Sequence, residues 1–211
     1  MTPPDRSDTP HRPEDVEIVE RTVVYDGYTR VDEVRLRHRL HEGGWSPVIK
    51  RELIERGHAV AVLPYDPARD EVVLIRQFRV GAYGAGRDPW LVEVVAGVID
   101  PGETPEDVAR REAVEEAGCT IGELIPICEY YASAGILSET VVLYVGLTDA
   151  SSAGGIHGLD HEGEDIEAFV LAWEEAWKWV EARRFLDIKI VTALQWLALN
   201  RDALRRRVAQ R

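Results

Sequence analysis

The sequence predicts an α+β fold in which a mixed β-sheet lies between helices and an antiparallel β layer comes before it. Several strand-like segments are followed by one helix, further strands and two helices, without the regular βαβ alternation of a doubly wound sheet. Residues 59–63 and 72–75 are apolar at every position, as expected of strands covered on both faces. Residues 16–54 instead alternate between apolar and polar side chains, which is typical of strands with one wet face.

The remaining elements follow from periodicity and turn signals. Residues 16–54 contain a turn at Asp26-Gly27 and a third strand from residue 48. Residues 58–64 and 71–78 form a hairpin, because the segment between them, residues 66–70, has turn chemistry. We expect further strands at residues 91–96, 124–132, 140–147 and 166–172, a Gly- and Asp-rich loop at residues 150–165, and amphipathic helices at residues 174–183 and 188–204.

The central helix has signals at both of its ends. Thr104 is a good N-cap, Pro105 suits the first helical position, and Gly118 is the expected stop. Ala109, Ala113 and Ala117 recur every four residues and form a face that packs closely on a sheet. The pattern therefore predicts a helix over residues 104–117.

Length and charge limit the class of protein. The 211 residues fit one large domain with a small extra layer, which we divide into a disordered lead-in (residues 1–14), an N-terminal β layer (15–54) and a main domain (55–211). A net charge of −13 gives no general attraction for nucleic acid or an anionic membrane. The lead-in lacks the features of a secretory signal, and no apolar run is long enough to span a bilayer. Cys119 and Cys128 lack metal-site spacing, so we expect two buried thiols and a cytoplasmic protein.

Three carboxylates share one side of the central helix. Glu112, Glu115 and Glu116 are three and four residues apart, which places their Cβ atoms about 5–6 Å from one another. The ordinary interpretation is a solvated acidic face. The packed alanine face, the Gly-bearing loop before the helix and a second acidic group at residues 162–167 instead favour a site for a hard cation such as Mg²⁺ or Mn²⁺.

These glutamates belong to a longer pattern that resembles the Nudix box. The seven fixed residues of that box are present at the family's spacing: Gly97, Glu103, Arg111, Glu112, Glu115, Glu116 and Gly118. Beyond the box, residues 15–204 resemble the bacterial ADP-ribose pyrophosphatases of the Nudix superfamily. The resemblance implies the Nudix fold and Mg²⁺-dependent hydrolysis of ADP-ribose to AMP and ribose 5-phosphate.

The resemblance also implies roles for individual residues. The metal, two or more ions of Mg²⁺ or Mn²⁺, would be held by the carbonyl of Ala96 and by carboxylates on the helix and on a late loop, which are those of Glu112, Glu115, Glu116 and Glu164. Glu162 would be the general base. Arg111 is expected to orient Glu115 and Glu116.

Substrate contacts are likewise implied only by the resemblance. The first five would lie near the adenine and ribose, Arg79 near a phosphate, and the others along the rest of the substrate. The residues are Tyr28, Thr29, Arg51, Glu52, Arg56, Arg79, Val98, Ser133, Ala134, Gly135 and Glu139. The N-terminal layer of such enzymes exchanges with a partner subunit, so we expect a homodimer that shares site residues. The alternating β layer would otherwise be an exposed flat sheet, which is a pairing hazard.

Three alternatives stay open at this point. Ala134 stands where the ADP-ribose enzymes usually have proline, which leaves another nucleotide sugar such as GDP-mannose as a substrate. A catalytically inactive Nudix module that senses a nucleotide is a second alternative, although such modules usually lose box glutamates. An acidic cation-binding or interaction protein is a third, and it does not explain the spacing of the box.

Overall fold

The computed structural model describes residues 12–159, 161 and 163–209. These form two compact units, one with the chain up to Arg56 and Tyr131–Glu139, the other with Gly57–Tyr130 and the chain from Thr140 onward. Most of the expected lead-in lies outside the described residues, and the described chain starts with a short 3-10 helix at Pro13–Asp15. No described helix combines the length and apolar character needed to cross a membrane.

The first unit contains the expected antiparallel layer. Its three strands are β1 (Val16–Asp26), β2 (Arg30–His38) and β3 (Ile49–Glu55), with β2 in the middle. Every residue of β1 is exposed, because this edge strand is covered by neither a helix nor a second sheet within the unit's described residues. The returning segment Tyr131–Glu139 joins β3, where the Ile54 N–H donates to the Ile136 carbonyl at 2.8 Å.

The second unit is built on an eight-stranded sheet. Its strands are β4 (Ala59–Asp66), β5 (Glu71–Phe78), β6 (Trp90–Glu93), β7 (Val95–Val98), β8 (Leu124–Tyr131), β9 (Thr140–Leu147), β10 (Gly155–His157) and β11 (Ile166–Ala172). The main path runs β10-β11-β5-β4-β9-β8. Strand β4 is parallel to β9 and antiparallel to β5 and β7, so the sheet is mixed, as the sequence predicts.

The middle of this sheet is split. Strands β4 and β5 pair only beside their turn, at Tyr65 with Val72 and Asp66 with Glu71. Beyond that point β6 pairs with β5 and β7 pairs with β4. The single strand predicted over residues 91–96 is therefore wrong, because the chain crosses at Val94 from one diverging strand to the other.

Helices cover both faces of the sheet. Apart from the short helix α1 (Val80–Gly84), which has no buried residue, they are α2 (Pro105–Ala117), α3 (Trp173–Glu181) and α4 (Ile188–Ala209). Val60 and Val62 of β4 pack in one core cluster with the alanine face of α2. The alternate residues Ala61 and Leu63 pack in the other cluster, with α3 and α4. The continuous apolar run of β4 thus fills two cores, which confirms the predicted sandwich of a mixed sheet between helices.

Three short elements of the second unit are additional to those predicted. Residues 150–165, expected as a loop, contain a 3-10 turn and the three-residue strand β10, which pairs with β11. Gly154 and Gly155 lead into β10 with φ values of 113° and 107°, a region that favours glycine. Helix α1 has only five residues and gives too short a pattern for periodicity to reveal.

Candidate active site

Helix α2 begins and ends where its local chemistry requires. The Thr104 hydroxyl accepts a hydrogen bond from the Asp107 N–H at 3.2 Å, and Pro105 occupies the first turn. Gly118 adopts a left-handed conformation with φ 62°, and its N–H returns to the Val114 carbonyl at 3.1 Å. These two ends fix the position of the acidic residues along the helix.

The approach of α2 to β7 depends on a glycine. Ala109, Ala113 and Ala117 are fully buried against the sheet, which brings the helix close to it. A Cβ atom built on Gly97 of β7 would overlap the carboxyl group of Glu112. Gly97 therefore makes room for that carboxylate beside the strand, which gives this residue of the box a steric role.

Arg111 gathers three of the box carboxylates. Its Nη1 donates to Glu112 Oε1 at 2.8 Å and to Glu115 Oε2 at 2.9 Å. Its Nε and Nη2 contact Glu103, which precedes the helix, at 3.3 and 3.4 Å. The expectation that Arg111 orients Glu116 is wrong, while its contact with Glu115 is present.

Glu116 has a different environment from its neighbours. Its side chain is buried, with 2% of the residue exposed, and Oε2 accepts from the Ala96 N–H at 3.0 Å. Burial raises the pKa of Glu116 to about 8, and this one backbone hydrogen bond opposes the rise. The negative charges of Glu112 and Glu164 raise this pKa further, while Arg79 lowers it. Burial also raises the pKa of Glu112.

The loop between β10 and β11 places Glu164 near Glu112 and Glu116. The Gly158 N–H donates to the Glu115 carbonyl at 3.2 Å, so the loop is attached to α2 itself. The Leu159 N–H donates to Glu164 Oε2 at 3.2 Å. Gly158 has φ 105°, and a Cβ there would lie 2.7 Å from Glu164 Cβ, so glycine is required for this packing. Glu164 consequently acts on the pKa of both Glu112 and Glu116.

The donor set fits a hard divalent cation. Glu112, Glu116 and Glu164 supply only carboxylate oxygens. Burial and the neighbouring negative charges raise the pKa of Glu112 and of Glu116, and a cation would favour their charged forms. Among the described residues no three His, Cys, Asp or Glu side chains already converge as a ligand set. Arg111 and the backbone hold the oxygens instead. The predicted base, Glu162, lies outside the described residues.

Two predicted substrate residues belong to this second unit. Arg79 follows β5, and its Nε donates to Glu93 Oε2 at 2.6 Å. Its positive charge acts on the pKa of Glu116, so the guanidinium lies near the carboxylates. Val98 ends β7, pairs with Ala59 and is half-buried.

Glu93 is a site neighbour that the sequence interpretation missed. It is 2% exposed at the end of β6 and carries the Arg79 contact. The available signal was a charged residue inside the apolar stretch of residues 90–95. A charge in such a stretch is rarely buried unless it is paired.

The other predicted substrate residues lie in the first unit. Tyr28 is 87% exposed in the turn after β1, followed by the half-buried Thr29. Arg51 and Glu52 are exposed on β3. Arg56 Nη1 lies 3.7 Å from the buried carboxylate of Glu139. The exposed turn of Ser133, Ala134 and Gly135 is closed by the Ile136 N–H, which donates to the Ser133 carbonyl at 3.0 Å.

Fold and site together define a family. The family model of the NUDIX domain matches residues 55–193 of this chain. Helix α2 with its preceding loop carries the residues of the Nudix box, and the split mixed sheet supports them. The chain belongs to the Nudix family.

Within the family the chain is similar to named bacterial enzymes. It is 47% identical over 205 residues to the ADP-ribose pyrophosphatase of Escherichia coli (strain K12), covering 97% of this chain and 98% of that protein. The ADP-ribose pyrophosphatase of Haemophilus influenzae is 40% identical over 190 residues, covering 89% and 88%.

More distant relatives are also matched. A GDP-mannose pyrophosphatase of Enterobacter sp. (strain 638) is 34% identical over 182 residues, covering 85% of this chain and 87% of that protein. A crystal structure of an ADP compounds hydrolase superposes with a TM-score of 0.65 at 21% identity, covering 87% of this chain and 95% of that chain. This last likeness concerns the fold alone.

Proposed function

We propose that this protein hydrolyses the pyrophosphate bond of ADP-ribose, giving AMP and ribose 5-phosphate, with divalent cations at the carboxylates of α2. The observation that carries the proposal is the pair of the buried Glu116 and the partly buried Glu112 beside Glu164, because carboxylates that repel one another at low exposure favour a bound positive charge. The two relatives at 47% and 40% identity, both named ADP-ribose pyrophosphatases, support the substrate.

Glu112, Glu116 and Glu164 would hold the cations, Mg²⁺ or Mn²⁺, with Glu115 and the Ala96 carbonyl completing the set for two or more ions. When bound, these ions polarise the bridging phosphates and lower the pKa of water. Carboxylate oxygens without histidine or cysteine are the ligands that these hard cations prefer.

The chain's own residues would supply binding and proton transfer. Glu162 would take the proton of the attacking water, a contribution typically worth about 10²–10⁴-fold in rate. Arg79, near the carboxylates, would bind a substrate phosphate through its guanidinium. Arg111 donates to the carboxylates of Glu112 and Glu115, so its proposed role is to orient them rather than to bind phosphate.

The adenosine end of the substrate would be bound by first-unit residues. Tyr28 offers an exposed ring for stacking, and Arg51 offers a planar guanidinium. The residues proposed for this end are Tyr28, Thr29, Arg51, Glu52 and Arg56. The residues proposed to contact the rest of the substrate are Val98, Ser133, Ala134, Gly135 and Glu139.

A homodimer that exchanges the N-terminal layer is part of the proposal. Strand β1 is an edge strand with apolar side chains in the open, including Ile18 at 54% and Val24 at 56% exposure. Exposed strands of this kind invite pairing with another chain. Both cysteines are free thiols, but only Cys119 is buried, so the expectation of two buried thiols is wrong for the exposed Cys128. Two free thiols support a reducing, cytoplasmic location.

GDP-mannose is the second candidate substrate. It is favoured by Ala134 in the Ser133-Ala134-Gly135 turn, where the ADP-ribose enzymes usually carry proline, and by the GDP-mannose pyrophosphatases at about one-third identity. An inactive sensing module is disfavoured because all seven residues of the box are retained.

One assay tests the proposed function. The protein is incubated with MgCl₂ and ADP-ribose, GDP-mannose, NADH or a diadenosine polyphosphate, and products are separated by chromatography. We expect AMP from ADP-ribose at the highest kcat/KM of the panel, and no AMP when EDTA is in excess. Faster release of GMP from GDP-mannose would show that GDP-mannose is the preferred substrate. Tight ADP-ribose binding without turnover would support the inactive module instead.

A further inference from the structure

A buried ionic cluster lies behind the site at the end of β6. Glu93 is 2% exposed, yet it carries a carboxyl group. Its Oε2 accepts from Arg79 Nε at 2.6 Å, and its Oε1 lies 3.5 Å from Lys189 Nζ. Burying a carboxylate is costly unless it is paired with a positive charge or a hydrogen-bond donor. The cluster therefore holds two cations, Arg79 and Lys189, and two acids, because the Asp187 side chain interacts with both Lys189 and Glu93.

The cluster continues to the start of α4. Asp187 Oδ1 accepts from the Lys189 N–H at 2.6 Å, which is the hydrogen bond of an N-cap. The Asp187 carboxylate also pairs with Lys189 Nζ. The Lys189 side chain is 20% exposed and that of Asp187 12%, so both are held within the structure. The first turn of α4 thus fixes the cation that contacts Glu93.

Arg79 is the outward member of the cluster. Its side chain is 40% exposed, and Nε is the atom that Glu93 holds. Within the described residues the two Nη groups make no hydrogen bond. An arginine fixed through Nε keeps its paired Nη donors free to bind two oxygens of an anion such as a phosphate. Its charge is felt at Glu116, which places these donors near the carboxylates.

We infer that Glu93 is a positioning residue for the hydrolytic reaction: held by Lys189 and Asp187 at the start of α4, it fixes the guanidinium of Arg79 for a phosphate of the substrate. The inference rests on the proposed function. Glu93 touches neither substrate nor metal in this arrangement, so its whole effect on turnover passes through Arg79. This dependence separates it from a residue that only stabilises the fold.

A double-mutant cycle tests the dependence. kcat/KM for ADP-ribose with Mg²⁺ is measured for the wild type, Arg79→Ala, Glu93→Gln and the double variant. We expect losses of about 10–100-fold for Arg79→Ala and about 10-fold for Glu93→Gln, the range of charge-assisted hydrogen bonds. In the Arg79→Ala background, Glu93→Gln should change kcat/KM by less than about 2-fold, because the residue through which it acts is already gone.

Controls separate the possible outcomes. Asp66→Asn removes another buried carboxylate, one that accepts backbone N–H groups of Ala68 and Ala150. Asp66→Asn should lower thermal stability. It should change kcat/KM of the folded protein by the same small factor in the wild type and in Arg79→Ala. Where Glu93→Gln fails to fold by circular dichroism, the cycle uses Glu93→Asp, which keeps the charge but withdraws it from Arg79.

Two results would overturn the inference. If the wild type is active and Glu93→Gln, or Glu93→Asp, lowers kcat/KM equally with and without Arg79, Glu93 does not act through Arg79 while the proposed function stands. If the wild type itself does not hydrolyse ADP-ribose, the proposed function is wrong, and the inference about Glu93 is wrong as well.

Discussion

Replacing Glu116 by glutamine should lower kcat/KM by more than about 100-fold, because even a residue that only supports a metal ligand costs roughly 10–100-fold in metal affinity when lost. The variant keeps the shape of the side chain and its hydrogen bond from the Ala96 N–H, but it loses the charge. Raising the Mg²⁺ concentration should recover part of the activity, since the defect lies in cation binding. Mg²⁺ dependence is measured from initial rates of AMP release.

The same variant should change the pH dependence of stability. Because the pKa of Glu116 rises from 4.5 to about 8 on folding, the folded protein binds more protons than the unfolded chain between these values. The unfolding free energy of the metal-free wild type should therefore fall as pH rises from about 4.5 to about 8, by on the order of a few kcal/mol. The unfolding free energy of Glu116→Gln should not fall in this way. Without metal at pH 8, Glu116→Gln should therefore be more stable than the wild type.

Glu174→Gln is the matched control for both measurements. It removes one negative charge from an exposed position on α3, away from the carboxylates. Its activity, Mg²⁺ dependence and pH profile should equal those of the wild type. A Glu116→Gln variant that behaves like this control in every assay would remove Glu116 from the ligand set.

Replacing Glu162 by glutamine should lower kcat by about 10²–10⁴-fold, the typical contribution of general base catalysis. KM for ADP-ribose and the Mg²⁺ dependence should stay near wild type, because the proposed role begins only when the proton is transferred. The pH–rate profile should also lose the limb that reports deprotonation of the base. Rates are measured under saturating substrate from pH 6 to 9.

Glu164→Gln is the informative comparison for that variant, since Glu164 is proposed as a metal ligand on the same loop. It should shift the Mg²⁺ dependence, which Glu162→Gln should leave alone. A Glu162→Gln enzyme with near-wild-type kcat would place the base elsewhere, with Glu164 the next candidate.

The sequence predicted those parts of the fold and site that local chemistry determines. Helix α2 could be bounded because Thr104 and Gly118 act on their own neighbours. Strand β4 could be assigned to a covered sheet because its apolar residues alternate between two cores. The expected contact of Arg111 with Glu115 is present, because residues four apart lie on the same side of a helix.

What the sequence missed depends on contacts between distant segments. Glu116 is held by the N–H of Ala96, 20 residues earlier, so helical spacing could not assign its partner. The division of residues 90–98 into two strands requires that β4 and β5 diverge, which no local pattern encodes. The pairing of Glu93 with both Arg79 and Lys189 joins β6 to the start of α4.

The central claim is that the carboxylates of α2 bind divalent cations, and Mn²⁺ in crystals tests it most directly. Anomalous difference density from crystals grown with MnCl₂ should peak within about 2–2.5 Å of carboxylate oxygens of Glu112 and Glu116, the range of metal–oxygen bonds to hard cations. Crystals of Glu116→Gln should show a weaker peak or none. Wild-type crystals with saturating Mn²⁺ and no anomalous peak beside either glutamate would contradict the claim.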